Sequence, residues 1–178
     1  MRRSVPVIRE AGAEDLALLP ALEAASDSLL AGMAGVRGSG PGADPLPLPP
    51  PGSAADLASA LHLLVAGTPP VGFARLEEVD GQAHLEQLSV HPDTAGAGLG
   101  RALVSAALEW AKDQGYTSMT LCTFAGVPFN APFYRSCGFG TVAAPGGELQ
   151  ALREHEKEIG LDALGERVAM RIELVPSN

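Results

Sequence analysis

The segment Leu88-Ser89-Val90-His91-Pro92-Asp93-Thr94-Ala95-Gly96-Ala97-Gly98-Leu99-Gly100-Arg101-Ala102-Leu103 carries the strongest chemical signal in the chain. Its residue types predict a strand, a turn at His91-Pro92, three alternating glycines and a helix start. Glycines let backbone N–H groups converge without side-chain obstruction. The first helical turn adds N–H groups without partners and the positive end of the helix dipole. Such a nest suits an anion, and a pyrophosphate in particular. No lysine follows Gly100, which excludes a P-loop. Gly96-x-Gly98-x-Gly100 has the wrong period for a dinucleotide fingerprint and comes late in the chain. A glycine-rich turn that only joins strand to helix is the plain alternative, and the spacing alone leaves it open.

The neighbouring residues narrow the choice. Val90-x-Pro92 precedes the glycines, Leu103 follows them, and Asn130-Ala131-Pro132-Phe133-Tyr134-x-x-x-Gly138-Phe139 comes later. Together these resemble the GNAT superfamily of acetyl-CoA-dependent N-acetyltransferases, closely so from Leu85 to Phe139. The resemblance implies an α/β (α+β) mixed sheet, mainly antiparallel and flanked by helices. In that family the pattern Arg/Gln-x-x-Gly-x-Gly/Ala binds the cofactor pyrophosphate through backbone amides, and the preceding strand runs beside the pantetheine arm. Carried onto this sequence, the resemblance lays acetyl-CoA along Leu88 and Val90. It then reaches Ala95, Gly96, Ala97, Gly98, Leu99, Gly100 and Arg101. The family's Arg/Gln position falls on Ala95, a departure. Alanine costs little if that position acts through its N–H, and Arg101 is the candidate to replace a lost side chain. Asn130 resembles a cofactor-contacting asparagine, with a helix N-cap as its alternative. Phe133 is a candidate to pack on the CoA arm, with core packing as its alternative. The resemblance implies no metal.

Amine acetylation needs a neutral amine, stabilisation of an oxyanion and protonation of the leaving thiolate. Glu86 lies in the apolar strand before the glycines and is the candidate base. Partial burial is expected to raise its pKa. Strict alternation sends Gln87 to the opposite face. Tyr134 resembles the family's general acid, with an amphipathic core tyrosine as its alternative. His91 sits in a turn and is expected to be exposed, and His62, His84 and His155 have no evident partners. The implied reaction moves an acetyl group to a primary amine of a small molecule or peptide. A catalytically silent acyl-CoA sensor or interaction module of the same fold is the competing reading. Glu86 and Tyr134 together favour the enzyme. A third class, a polyproline ligand, rests only on composition.

The elements that must position these residues read as follows. Val5–Arg9 is a short strand, and Glu14 to about Leu30 a helix that Pro20 kinks or shifts. Strands are expected at Leu61–Ala66, Val71–Glu78 and His84–His91. The last two are joined by Asp80-Gly81, the strongest short hairpin signal in the chain. A helix from Leu99 to Gln114 ends at Gly115. Thr117–Thr123 is a strand, Pro132–Ser136 a short helix and Phe139–Ala143 a strand. Leu149–Ile159 is a charged helix, and Arg167–Val175 ends the fold as a strand. Hairpins followed by a strand–helix–strand unit indicate a mixed sheet.

Gly32 to Gly52 breaks the pattern. Six prolines lie between Pro41 and Pro51, and only Asp44 and Asp56 are charged between Gly38 and Val71. This stretch is expected to be a mobile loop or lid that governs the acceptor. The 178 residues are expected to form one domain. Twelve Lys and Arg against 21 Asp and Glu give a net charge of -9, the wrong balance for a general nucleic-acid binder. Cys122 and Cys137 form no disulfide framework or zinc pattern and are expected to be structural. No stretch reaches the roughly 18 apolar residues of a membrane span, so a cytoplasmic location is the default. The oligomeric state is open, a homodimer among the options.

Overall fold

The structure, a computed structural model, describes residues 5–30 and 48–175. Among the described residues seven strands form one sheet in the order β1-β2-β3-β4-β5-β7-β6. They are β1 (Ile8–Glu10), β2 (His62–Ala66), β3 (Gly72–Val79), β4 (Gln82–Val90), β5 (Ser118–Phe124), β6 (Gly140–Val142) and β7 (Arg167–Glu173). Every neighbouring pair is antiparallel except β4 and β5. The mixed, mainly antiparallel sheet expected from the sequence is therefore present.

Local chemistry explains the main elements. Asp80 and Gly81 both adopt positive φ, 54° and 68°, the geometry of a tight hairpin turn between β3 and β4. The longest helix, α4 (Leu99–Asp113), buries Leu99, Leu103, Val104, Ala107 and Ala111 on one stripe. It ends at Gly115, φ 86°, where the Tyr116 N–H donates to Ala111 and the Gly115 N–H to Lys112. That is a Schellman termination.

The sheet carries hydrophobic clusters on both faces. On one face α4 packs over Ala74, Leu76, Ala83 and Leu85. On the other, α1 (Ala13–Leu16), α2 (Leu19–Asp27) and α3 (Ala54–Ala58) surround a core of Leu19, Leu22, Leu57, Leu63, Val65 and Phe73. The helix expected from Glu14 to Leu30 is split, and Pro20 stands in the first turn of α2, where its missing N–H costs nothing. Helix α3 and α7 (Leu161–Leu164) are too short to show a helical period in the sequence. Residues 31–47, most of the Gly/Pro-rich stretch, lie outside the described residues.

The remaining helices are α5 (Ala131–Ser136) and α6 (Gly147–Glu158). The hairpin tip caps α6: the Asp80 carboxylate accepts from the Glu148 N–H at 2.7 Å and the Leu149 N–H at 3.1 Å, while the Asp80 N–H donates to the Glu148 carboxylate. Asp80→Gly keeps the turn geometry and removes both accepted bonds. It is expected to cost about 0.5–2 kcal/mol, read as a lower melting temperature, with Asp80→Asn retaining part. An unchanged melting temperature in Asp80→Gly contradicts the cap.

Candidate active site

Strands β4 and β5 pair at only two positions, Ala83 with Met119 and His84 with Thr120. Beyond them the strands part. Leu85, Glu86, Gln87, Leu88 and Val90 from β4 and Leu121–Phe124 from β5 border a cavity of about 880 Å³. Its far walls come from α2, the first turn of α4, α5 and α6. A ligand of cofactor size is compatible with that volume.

One end of the cavity is the glycine nest. Gly96 and Gly98 adopt φ of 78° and 83°, and a Cβ on either would meet no atom within 4 Å. The first N–H of α4 taken within the helix is that of Ala102, by the Gly98 carbonyl. The N–H groups of Leu99, Gly100 and Arg101 are thus free of helical partners. The helix dipole adds to their pull on an anion. Ala95, Gly96, Gly98, Gly100 and Arg101 line the cavity. Leu99 also lines it, although the residue is only 2 % exposed and belongs to the core. Ala97 is exposed and outside the cavity wall. Arg101 is committed to α5. Its guanidinium donates to the Ser136 carbonyl at 3.1 Å and hydroxyl at 2.7 Å, and lies over the Phe133 ring.

Leu88, Val90, Asn130 and Phe133 also line the cavity. Asn130 occupies the N-cap position of α5, but its side chain makes no capping bond. Phe133 is half-buried, and its ring tip lies 3.6 Å from where a Cβ on Gly100 would stand. Tyr134 is 7 % exposed and edge-on to Phe133 and Phe139. Its hydroxyl has no hydrogen-bond partner among the described residues. It borders the cavity rather than being sealed in the core. Burial pushes the Tyr134 pKa well above its usual value of 10.

Glu86 differs from expectation in two ways. Arg75 pairs with Gln87 and Leu76 with Leu85, so Glu86 is the extra residue of a β-bulge. The bulge breaks the alternation, and both Glu86 and Gln87 line the cavity. The pKa of Glu86 is lowered rather than raised. The cause is a hydrogen bond from His84, whose Nε2 lies 3.4 Å from Glu86 Oε2, and this outweighs burial. The Glu86 side chain keeps 40 % of its surface open. His84, without an evident partner in the sequence, is buried between Glu86 and Thr120. Its i, i+2 spacing from Glu86 was the available signal.

Two further acids were not anticipated. Glu23 and Asp27 reach the cavity from α2, and burial pushes both to a pKa of about 6. Repulsion by Asp27 adds to the shift of Glu23, and the Gly52 N–H, 3.2 Å from Glu23 Oε2, opposes it. At the floor, Glu156 and Arg167 line the cavity and belong to an ion-pair network with Arg153 and Asp162. Cys122 is half-buried on the cavity wall rather than in the core, and burial pushes its thiol up to about 12. His91 lies in the exposed turn, accepting from the Asp93 N–H. Among the described residues, no group of three His, Cys, Asp or Glu side chains is placed to hold a metal ion. No described helix is long and apolar enough to cross a membrane.

The two α2 carboxylates set a pH dependence. Their folded pKa values are raised, so between about pH 4 and 6 the folded state binds more protons than the unfolded one. Stability then falls as pH rises through that window. Asp27→Asn is expected to raise the melting temperature by a few degrees at pH 8 and to leave it nearly unchanged at pH 4. An equal effect at both pH values contradicts the assignment.

Residues 45–139 match the Acetyltransferase (GNAT) family. Solved structures share the fold over nearly the whole chain. The ribosomal-protein-S18-alanine N-acetyltransferase of Escherichia coli is 19 % identical with a TM-score of 0.62, over 97 % of this chain and 96 % of that one. The PaiA N-acetyltransferase of Thermoplasma acidophilum, solved with coenzyme A, is 17 % identical with a TM-score of 0.67, over 96 % and 99 %. The N-acetylglutamate synthase of Neisseria gonorrhoeae, solved with coenzyme A and N-acetyl-glutamate, is 15 % identical with a TM-score of 0.65, over 97 % of this chain and 36 % of that one. More than half of the chain matches the family, and its sheet has the family's architecture: the chain belongs to the GNAT acetyltransferase family.

Proposed function

We propose that the protein moves an acetyl group from acetyl-CoA to a primary amine of a small molecule or peptide. One observation carries this reading. A single cavity joins the free N–H groups at the start of α4 to the Glu86 carboxylate and the unpartnered Tyr134 hydroxyl. The nest supports binding of the CoA pyrophosphate, and the divergence of β4 from β5 leaves room for the arm and thioester. The structures of similar fold are named for acceptors as different as a protein alanine and glutamate, so the fold does not choose the acceptor. The acidic wall of Glu23, Asp27 and Glu86 favours an amine that arrives as an ammonium ion.

The chemistry divides among these residues. An ammonium with a pKa near 10.4 must lose a proton before it attacks. Glu86, held ionised, draws that proton from the ammonium and passes it through water to solvent, since its own pKa is lowered and it cannot retain the proton. The neutral amine then attacks the thioester carbonyl, the C–S bond breaks as the oxyanion collapses, and the second amine proton leaves by the same route. Tyr134 is protonated throughout the neutral range. Its pKa lies above that of a thiol, near 8.5, so full proton transfer to the thiolate is uphill. Tyr134 therefore acts by a hydrogen bond to the developing thiolate, and solvent completes the protonation.

Two outcomes test the reading. Gly98→Val places a β-branched side chain in the nest and at positive φ. Calorimetry is expected to show CoA binding strongly weakened in folded Gly98→Val protein, and wild-type affinity there contradicts the nest. Tyr134→Phe keeps the ring and has no hydrogen bond among the described residues to lose. It is expected to slow turnover about 10- to 10²-fold, at or below the low end of acid catalysis, with little change in melting temperature. Unchanged turnover removes Tyr134 from the reaction.

A further inference from the structure

We propose that His84 and Thr120 form a buried relay that orients the Glu86 carboxylate, making His84 the positioning residue of the base. The proposal rests on the reading of Glu86 as the base. His84 is 1 % exposed and Thr120 5 % exposed. His84 Nδ1 lies 2.7 Å from Thr120 Oγ1, and Nε2 lies 3.4 Å from Glu86 Oε2.

The tautomer follows from counting donors. If Nδ1 carried the proton of a neutral ring, the bare Nε2 lone pair would face a carboxylate oxygen. The Thr120 hydroxyl would then need another acceptor, and none appears among the described residues. If Thr120 donates to Nδ1, then Nε2 carries the ring proton on the side of the Glu86 carboxylate, 3.4 Å from Oε2, and the Thr120 hydroxyl has its acceptor. The buried hydroxyl thereby selects the tautomer that donates to the base.

The topology makes this arrangement specific. His84 and Thr120 are partners at the last paired position of the parallel β4–β5 contact. Glu86 is the bulged residue just beyond, where the strands part. The bulge frees the Glu86 side chain from the sheet, and the relay from the last paired position fixes it again. Other charged or titratable groups also bear on Glu86. Arg75 of β3 and Arg167 of β7 favour its ionised form, Glu23 of α2 opposes it, and Cys122 of β5 is neutral at its raised pKa. The Arg75 Nε is held by Glu77 at 2.7 Å, and Arg167 is held by Glu156 at 2.8 Å. Of these groups only His84 places a nitrogen within 4 Å of the Glu86 carboxylate, Nε2 lying 3.4 Å from Oε2.

The test compares pH–rate profiles of wild type, Glu86→Gln, Thr120→Val, His84→Gln and His84→Leu, using acetyl-CoA thiol release with an accepted amine. Thr120→Val is nearly isosteric and leaves His84 free to take the other tautomer. It is expected to lower kcat about 10-fold, a part of what general-base catalysis contributes, to move the acidic limb to higher pH, and to leave KM for acetyl-CoA unchanged. His84→Gln keeps an N–H donor near the Nε2 position and is expected to retain more activity than His84→Leu. A profile in Thr120→Val that superimposes on wild type, with Glu86→Gln impaired, overturns the relay and leaves the base in place. Full activity in Glu86→Gln overturns the base assignment and the relay with it. Equal turnover per folded molecule in His84→Gln and His84→Leu, both at the wild-type level, also overturns the relay.

Discussion

The site depends on one constraint: two parallel strands that pair at two positions and then separate. A sheet normally satisfies the N–H and C=O groups of adjacent strands against each other. Where β4 and β5 part after His84 and Thr120, their backbones turn toward a cavity instead. Everything used in the proposed chemistry is arranged around that gap. The bulge at Glu86 opens it from the β4 side. Helix α4 follows β4 after a short turn, so its free N–H groups lie at the mouth. Helix α5 brings Tyr134 and Phe133 to the β5 side. The hydrophobic contacts of α4 with β3 and β4 hold this geometry, because a shift of α4 would move the nest relative to Glu86.

The electrostatics of the cavity are of two kinds. The helix start offers partial positive charge without a lysine or a free arginine, since Arg101 is tied to Ser136. Another part of the lining is acidic, through Glu23, Asp27 and Glu86. In the proposed reaction the helix start draws the anionic donor and the acidic wall draws a cationic acceptor. This arrangement has a cost in stability, because two half-buried carboxylates are kept without a described cationic partner. Strain or unfavourable charge retained at a site is a common mark of function.

The sequence made local features legible and long-range ones obscure. The Asp80-Gly81 hairpin, the Gly115 termination and the glycine nest depend on backbone conformations that few residue types adopt, so they could be read directly. The stripe of Leu99, Leu103, Ala107 and Ala111 gave α4 its boundaries within a residue or so. The bulge was hidden, because alternation carries no mark of an inserted residue. The expected rise in the Glu86 pKa then failed for a related reason. Burial is legible in the apolar strand, but the His84 contact that outweighs it depends on the folded strand and its bulge. Thr120 lies 36 residues from His84 on a parallel strand, and no local pattern joins them. Glu23 and Asp27 carry no local signal, because only the docking of α2 against β4 brings them to the cavity.

In the proposed reaction the β4–β5 gap holds the thioester between Glu86 and Tyr134 while the start of α4 holds the pyrophosphate. A crystal structure of the protein with CoA decides this. Pyrophosphate oxygens are expected to accept from the N–H groups of Leu99, Gly100 and Arg101. The sulfur is expected within hydrogen-bond reach of the Tyr134 hydroxyl, with the pantetheine arm running along Leu88 and Val90. A CoA molecule that binds outside the gap, or that enters it with its sulfur directed away from both Glu86 and Tyr134, would contradict this arrangement.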